Sequence, residues 1–472
     1  MLEDAPLVQA LLNASHQPHA AFYTPGHKRG AAAPLRPWWG PAVLAADLPE
    51  LPDLDNLFAP EGVIRQAQQQ AAQTFGAEDT WFLTNGSTAG VIAAILATCG
   101  PGESIILPRN IHQSAVSGLI LSGAVPVFVP PTCDPTLGIA LGVTPHAIAQ
   151  ALAQTAAKAV LVVSPTYYGT GSDLEAIAQH CHRHHLPLIV DEAHGAHFAA
   201  HPHLPKTAMA SGADVAVQST HKTLSALTQS AMVHRQGERI EAGRLASALQ
   251  MVQSTSPNYL LLASLDAARQ QLATQGHQLL EKTLALSALA RQQIPAPLTA
   301  LTPEAVAPFT LDLTRLTVDL TALGITGFAA DEWLYERGVV AELPELRSLT
   351  FILSLGTAVE EVTRLVDGLK SLKSLASGTG DHTPYPATQL PLPKLGCSPR
   401  EAYFAAGKRL PIGQAAGRIC KATVCAYPPG IPALLPGEIV TEAVVAGLRA
   451  IAAGGGIITG LDGGLEELPV VA

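Results

Sequence analysis

The stretch Ala213-Asp214-Val215-Ala216-Val217-Gln218-Ser219-Thr220-His221-Lys222-Thr223 decides how this chain is read. Its first six residues form a strand-like run, and it closes on hydroxyls, an imidazole and an amine. An earlier run, Pro187-Leu188-Ile189-Val190, closes in a comparable way on Asp191-Glu192-Ala193-His194. The acid and the lysine stand 222 − 191 = 31 residues apart, room for a loop, a short helix and another strand. A carboxylate and an amine at the carboxyl ends of two buried strands can grip the two ends of one flat molecule.

Outward from these two runs the same pattern repeats. Strands are predicted at Thr80–Leu83, Ser104–Leu107, Val125–Val129, Ala159–Val163, Leu188–Val190 and Val215–Gln218, with helical stretches between them. A helix is predicted over Val63–Phe75 and an opening helix over Pro6–Ala14. Strands that are apolar almost throughout and alternate with helices indicate an α/β domain, its mostly parallel sheet covered on both faces. This large domain is expected over 61–290, after an N-terminal segment, 1–60, rich in Pro and His. Beyond it, strands at Val306–Leu313 and Leu349–Leu355 around a helix at Thr326–Arg337 suggest a smaller α+β domain over 291–375. Residues 376–400, with five prolines, read as a linker to a final domain, 401–472. Within that domain Tyr427-Pro428-Pro429-Gly430-Ile431-Pro432 reads as too proline-rich for regular structure.

At 472 residues the chain can bury a large core. Its net charge of −10 argues against a nucleic-acid partner and is compatible with a cationic substrate. Mean hydropathy is +0.25, yet neither apolar run makes a membrane span. Val91–Cys99 is too short, and Ala443–Leu461 carries Arg449 and a glycine triplet. Met1-Leu2-Glu3-Asp4 lacks the basic start of a secretory signal, so a cytoplasmic protein is expected. Six scattered cysteines without a Cys-x-x-Cys pair argue against a disulfide framework and a zinc site. The histidines at 180–185 and at 194, 197, 201 and 203 show no recognised ligand spacing, so no metal is expected.

Thr84-Asn85-Gly86-Ser87-Thr88-Ala89-Gly90 follows a predicted strand and opens a helix. It reads as a phosphate cradle, or simply as a capped strand-to-helix turn; it lacks the ending of a Walker loop. Asp191 in turn could cap a helix or bind magnesium, and Lys222 could be a surface residue. The three together match pyridoxal phosphate, which needs an amine to hold it, a carboxylate to keep its ring nitrogen protonated, and a phosphate site. His194 can reach the same cofactor edge or hold Asp191, and crowding by cationic neighbours would lower the pKa of Lys222.

Val217 to Ala226 resembles the cofactor-lysine motif of the bacterial ornithine/lysine/arginine decarboxylases, a fold-type-I pyridoxal-phosphate family. Tyr23-Thr24-Pro25-Gly26-His27-Lys28 resembles its N-terminal signature, and Leu54-Asp55-Asn56-Leu57 to Gly62 its acidic entry segment. Asn110–Ser114, Ser164–Gly169, Asp191–Phe198, Thr255–Tyr259 and Tyr427–Glu438 match in order. The resemblance covers nearly the whole chain and is weakest over 290–395. It implies a transferase-like large domain in which Lys222 carries pyridoxal 5'-phosphate and Asp191 pairs with the ring nitrogen. His112 would stack on the ring, which Thr166 and His194 would flank. Gly86, Ser87, Thr88, Ser219 and His221 would bind the phosphate or its surroundings. Thr255 and Ser256 would reach the phosphate of a partner subunit, which implies a homodimer or higher homo-oligomer; a plain helix cap is the alternative for that pair. A chain that begins almost at Pro-Gly-His-Lys resembles the short form of the family.

The implied reaction is decarboxylation of lysine, arginine or ornithine to a di- or polyamine precursor and CO2. The basic side chain needs an acid, and Asp53, Asp55, Glu61 and Glu438 are candidates. Glu438 is favoured because a proline-rich turn precedes it, with Asp55 and His27 also placed on the substrate side. An aminotransferase or aldolase on the same fold and a non-catalytic regulatory relative are the alternatives. Against the first, no arginine stands out to clamp an α-carboxylate; against the second, Asp191 and Lys222 are both present.

Overall fold

Helix α1 (Pro6–His16) opens on a proline, and its amides at Leu7 and Val8 donate to the buried carboxylate of Asp266. Helix α2 (Val63–Phe75) buries Ile64, Ala67, Ala71, Ala72 and Phe75, a stripe at helical spacing, and stops at Gly76 in the left-handed conformation. The computed structural model describes residues 4–379, 392, 394–427, 430–461 and 464–472. Most of the expected linker and the Pro428-Pro429 pair lie outside the described residues.

From residue 79 the alternation foreseen in the sequence is realised. In order come β1 (Asp79–Leu83), α3 (Gly86–Thr98), β2 (Ser104–Pro108), α4 (Gln113–Ser122), β3 (Val125–Val129) and α5 (Pro145–Gln154). There follow β4 (Ala157–Val163), α6 (Leu174–Arg183), β5 (Leu188–Asp191), β6 (Val215–Gln218) and β7 (Ala231–Arg235). A helix of 34 residues, α7 (Tyr259–Gln292), follows them in the chain. The architecture is α/β with a mixed, mostly parallel central sheet, as expected.

Two compact units divide the chain: residues 1–97, 189–202 and 206–279 form one, and 98–188, 203–205 and 280–472 the other. In the first unit the strand order is β1-β7-β6-β5. Strands β5 and β6 are parallel, with Asp191 level with Val217, so Asp191 and the turn after Gln218 emerge at the same edge. Both strands are buried throughout, the condition in which a strand carries apolar residues on both faces. Strand β7, which the sequence reading did not foresee, runs antiparallel to β6 and β1. Its His234 and Arg235 disguise it, although His234 is fully buried.

In the second unit β4, β2 and β3 are parallel neighbours. A four-stranded antiparallel sheet follows, centred on β8 (Arg315–Asp319) and β9 (Ser348–Ile352). Helices α8 (Gly327–Tyr335) and α9 (Val359–Thr379) cover a core of Leu316, Val318, Leu334, Leu349, Phe351, Val362 and Leu369. The expected strand over Val306–Leu313 is instead a short helix, Pro303–Val306, and the two-residue strand Thr310–Leu311. Thr302 caps that helix and Pro303 supplies its preset first φ, a local signal that outweighs the apolar run. The proline-rich block is also more regular than expected. Strands β10 (Val424–Tyr427) and β11 (Ile431–Leu434) form an antiparallel pair in which Cys425 faces Pro432. Strand β11 lies at the sheet edge, where a missing N–H breaks no ladder. Helix α10 (Glu442–Ala453), capped by Thr441, packs Val444 and Leu448 into a core with Val424, Leu434 and Val470.

Candidate active site

Strand β5 ends on Asp191, and the Glu192 amide still donates to Val217, which carries the pairing one residue further. The chain then turns sharply, Gly195 N–H donating to Glu192, and this turn carries His194. Past β6, Ser219 leads into a single helical turn, Thr220–Thr223, that carries Lys222. The two turns bring Lys222 Nζ to 3.0 Å from His194 Nε2. An ammonium has only donors, so the imidazole accepts here through an unprotonated Nε2. Asp191 is buried and takes a hydrogen bond of 3.2 Å from the Ala193 amide. Burial raises its pKa, while the charge of Lys222 and the Ala193 amide pull it back. A buried carboxylate of this kind gains from any further cation brought to it.

The turn between β1 and α3 stands beside this group. Gly86 adopts φ +70°, a conformation open to glycine, and so reverses the chain between strand and helix. Gly90 lets α3 lie against the sheet, since a Cβ there would come within 2.6 Å of Val217 and 2.8 Å of Val233. Ser219 donates to Ser87 at 2.7 Å, which sets two hydroxyls at the start of a 13-residue helix. Gln253 Oε1 accepts from Thr84 N at 3.1 Å, and Gln229 Nε2 donates to Thr84 O at 2.5 Å. Thr88, Thr255 and Ser256 are exposed, and Ser254 N–H reaches Asn85 at 3.5 Å. His221 donates from Nδ1 to the Ser230 carbonyl at 2.9 Å. Thr220 Oγ1 is buried with no hydrogen-bond partner among the described residues. An amine, a buried carboxylate and a helix start with clustered hydroxyls are the donor set that pyridoxal phosphate requires, and the residues fit it.

In the second unit His112 caps α4, its Nδ1 accepting from Ser114 N at 3.2 Å and lying 2.9 Å from Ser114 Oγ. That bond leaves the proton on Nε2 and fixes the ring plane. Thr166 is buried in a tight turn, with its N–H 2.8 Å from Thr170 O and its Oγ1 2.6 Å from Thr170 Oγ1.

The three residues assigned to the substrate side are all engaged within the chain. Asp55 accepts from the amides of Asn56, Glu61, Gly62, Ile64 and Arg65 and so caps α2. His27 Nε2 lies 3.0 Å from Asp47, while its Nδ1 accepts from Gly30 N–H. Glu438 is 0% exposed and holds Arg109 through both oxygens, each at 3.0 Å. The acid favoured for the substrate side is thus buried and paired with Arg109 in this structure.

Sequence reading missed several polar residues. Arg109 adjoins the quoted Asn110–Ser114 motif at the end of β2, a position that marks it in retrospect. Glu192, Gln218, His234 and Thr80 form a buried hydrogen-bonded chain with no local sequence signal.

The profile described as Orn/Lys/Arg decarboxylase, major domain, matches residues 5–314, and that of the C-terminal domain matches 386–462. An arginine decarboxylase of Halalkalibacterium halodurans is 40% identical over 458 residues, covering 95% of this chain and 93% of the relative. One from Bacillus subtilis is 39% identical, covering 93% and 92%. Among solved structures, the lysine decarboxylase LdcF of Francisella novicida superposes with a TM-score of 0.88 at 22% identity. The match covers 99% of this chain and 81% of that one, and shows a shared fold.

Proposed function

This chain belongs to the Orn/Lys/Arg decarboxylase family, and we propose that it removes CO2 from a basic L-amino acid with pyridoxal 5'-phosphate, arginine being its preferred substrate. The observation that carries the reading is the grouping of Lys222, His194 and Asp191 at the ends of two adjacent parallel strands. Preference for arginine is supported by relatives named arginine decarboxylase at 38–40% identity, against 24–27% for those named lysine decarboxylase.

When bound, pyridoxal phosphate supplies the sink for the electron pair left behind as CO2 departs. Lys222 would hold it through Nζ, and His194 Nε2, 3.0 Å away, orients that amine and keeps one of its protons in a defined direction. Asp191 would keep the ring nitrogen protonated; its burial shields that interaction from water. Ser87 and Ser219 would take the phosphate at the start of α3, and His112, held by its cap, would present a fixed ring face. Thr255 and Ser256, both exposed, would serve a second subunit, so a homodimer is the minimal active form. The products would feed polyamine synthesis in the cytoplasm.

The test is CO2 release from cofactor-loaded protein given L-arginine, L-lysine and L-ornithine separately, with Lys222→Ala as the blank. Release is expected fastest from arginine and absent in the blank. No release, despite a cofactor absorbance band that shifts with amino acid, would move the assignment to another reaction of the same cofactor.

A further inference from the structure

We propose that Arg109 and Glu438 are positioning residues through which the C-terminal domain holds the loop bearing His112 in its working place. The inference rests on the reading above of a pyridoxal-phosphate enzyme. Arg109 lies within the match to the major domain and Glu438 within the match to the C-terminal domain.

Strand β2 ends at Pro108, and Arg109 N–H still donates to Val129 at 3.1 Å, which anchors its backbone. Its side chain then makes four hydrogen bonds into one short segment. Nε and one terminal nitrogen bind the two oxygens of Glu438 at 3.0 Å each. The remaining two reach the carbonyls of Pro432 at 2.6 Å and Ala433 at 3.2 Å. Glu438 is held in turn by Leu435 N–H at 2.8 Å, and the guanidinium lies 5.6 Å from the Phe128 ring centre. Such a bidentate fork fixes direction as well as distance. Three residues later His112 is fixed by its own cap, so the segment 109–112 is pinned at both ends. Between the pins Asn110 is 7% exposed, and its amide oxygen has no partner among the described residues.

Stability alone is a weak reason for this pair. Desolvating two charges offsets most of their attraction, and a well-packed apolar replacement of a buried ion pair is often neutral or better. What an apolar pair lacks is the fork that aims one loop, and misplacement of a catalytic group by about 1 Å lowers a rate by about 10²-fold.

The experiment compares wild type with Glu438→Gln and with the double variant R109M/E438M. Affinity of the apo-protein for pyridoxal phosphate, visible circular dichroism of the bound cofactor, the urea midpoint, kcat and KM are all measured. Glu438→Gln is expected to weaken cofactor binding and lower kcat, each by about 10-fold or more, with KM for the amino acid within about twofold. The double variant should regain the urea midpoint while keeping the weakened cofactor binding and altered dichroism. Recovery of all these quantities together would reduce the pair to a structural element and overturn the proposal. A large rise in KM with unchanged cofactor affinity would overturn it too, and would return Glu438 to the substrate side. Should Glu438→Gln fail to fold, the double variant decides. Absence of CO2 release by wild type would count against the decarboxylase reading alone, because cofactor affinity and dichroism still judge the pair.

Discussion

Glu192 follows Asp191 directly, yet it serves a different network. Its oxygens accept from Ala208 N–H at 2.7 Å and from the Gln218 amide at 2.8 Å. Gln218 Oε1 lies 3.0 Å from His234 Nε2, and His234 Nδ1 lies 2.8 Å from Thr80 Oγ1. Since the Gln218 nitrogen donates to the acid, its oxygen must accept, which puts the histidine proton on Nε2. Burial pushes Glu192 up to about 7 and His234 down to about 3. A carboxyl that holds its proton more tightly when folded contributes stability fully below its unfolded pKa of 4.5, and this is lost as pH rises through about 7. His234 has the opposite sign: its contribution is present above 6.5 and is lost as pH falls through about 3. Glu192→Gln should therefore gain in unfolding free energy relative to wild type between pH 4.5 and about 7, at up to ~1.4 kcal/mol per pH unit, and level off above that. Denaturation curves at four or five pH values check this. A constant difference would mean that Glu192 ionises in its ordinary range.

At the scale of elements, Asp55 shows how one side chain starts a helix. Oδ2 accepts from Gly62, Ile64 and Arg65, Oδ1 from Asn56 and Glu61, and Tyr259 donates to the Asp55 carbonyl at 2.6 Å. Partial burial would raise its pKa, but these amides outweigh burial and lower it. Asp55→Ala should destabilise the protein by about 1–2 kcal/mol with an unchanged denaturant slope, measured by urea unfolding. Equal stability would show that water replaces the carboxylate without loss. The bounds of α2, β3 and β6 agree with the sequence reading because each carries its signal locally, in a periodic stripe or an unbroken apolar run. Strand β7 was not legible because its histidine is satisfied by Thr80 and Gln218, residues distant in sequence. The edge strand β11 was hidden by its proline, whose tolerance depends on which neighbour it lacks.

For the whole molecule, the proposed homodimer has a surface to account for. Phe22 is 95% exposed and Trp38 85%, with Trp39 and Leu35 also exposed in the same N-terminal segment. Large apolar groups left exposed mark interaction surfaces where they adjoin one another, as Trp38 and Trp39 do in sequence. Sedimentation should give twice 49.0 kDa or more, and the variant Trp38→Asp/Trp39→Asp should shift toward half that mass and lose activity. An active monomer would remove the role of Thr255 and Ser256 in a second site. The sequence by itself determined the α/β alternation, the placing of Asp191 and Lys222 at strand ends, and the family. Those properties rest on side-chain period, burial of strands and short motifs, all of them local. Only the tertiary structure decided that Lys222 meets His194, and that Glu438 meets Arg109 across 329 positions of chain. It also separated the four candidate acids: Asp53 and Glu61 are exposed, Asp55 caps a helix and Glu438 is sealed in an ion pair. The physical reason is that a carboxylate's role depends on whether water, an amide or a guanidinium faces it, and folding alone supplies that neighbour.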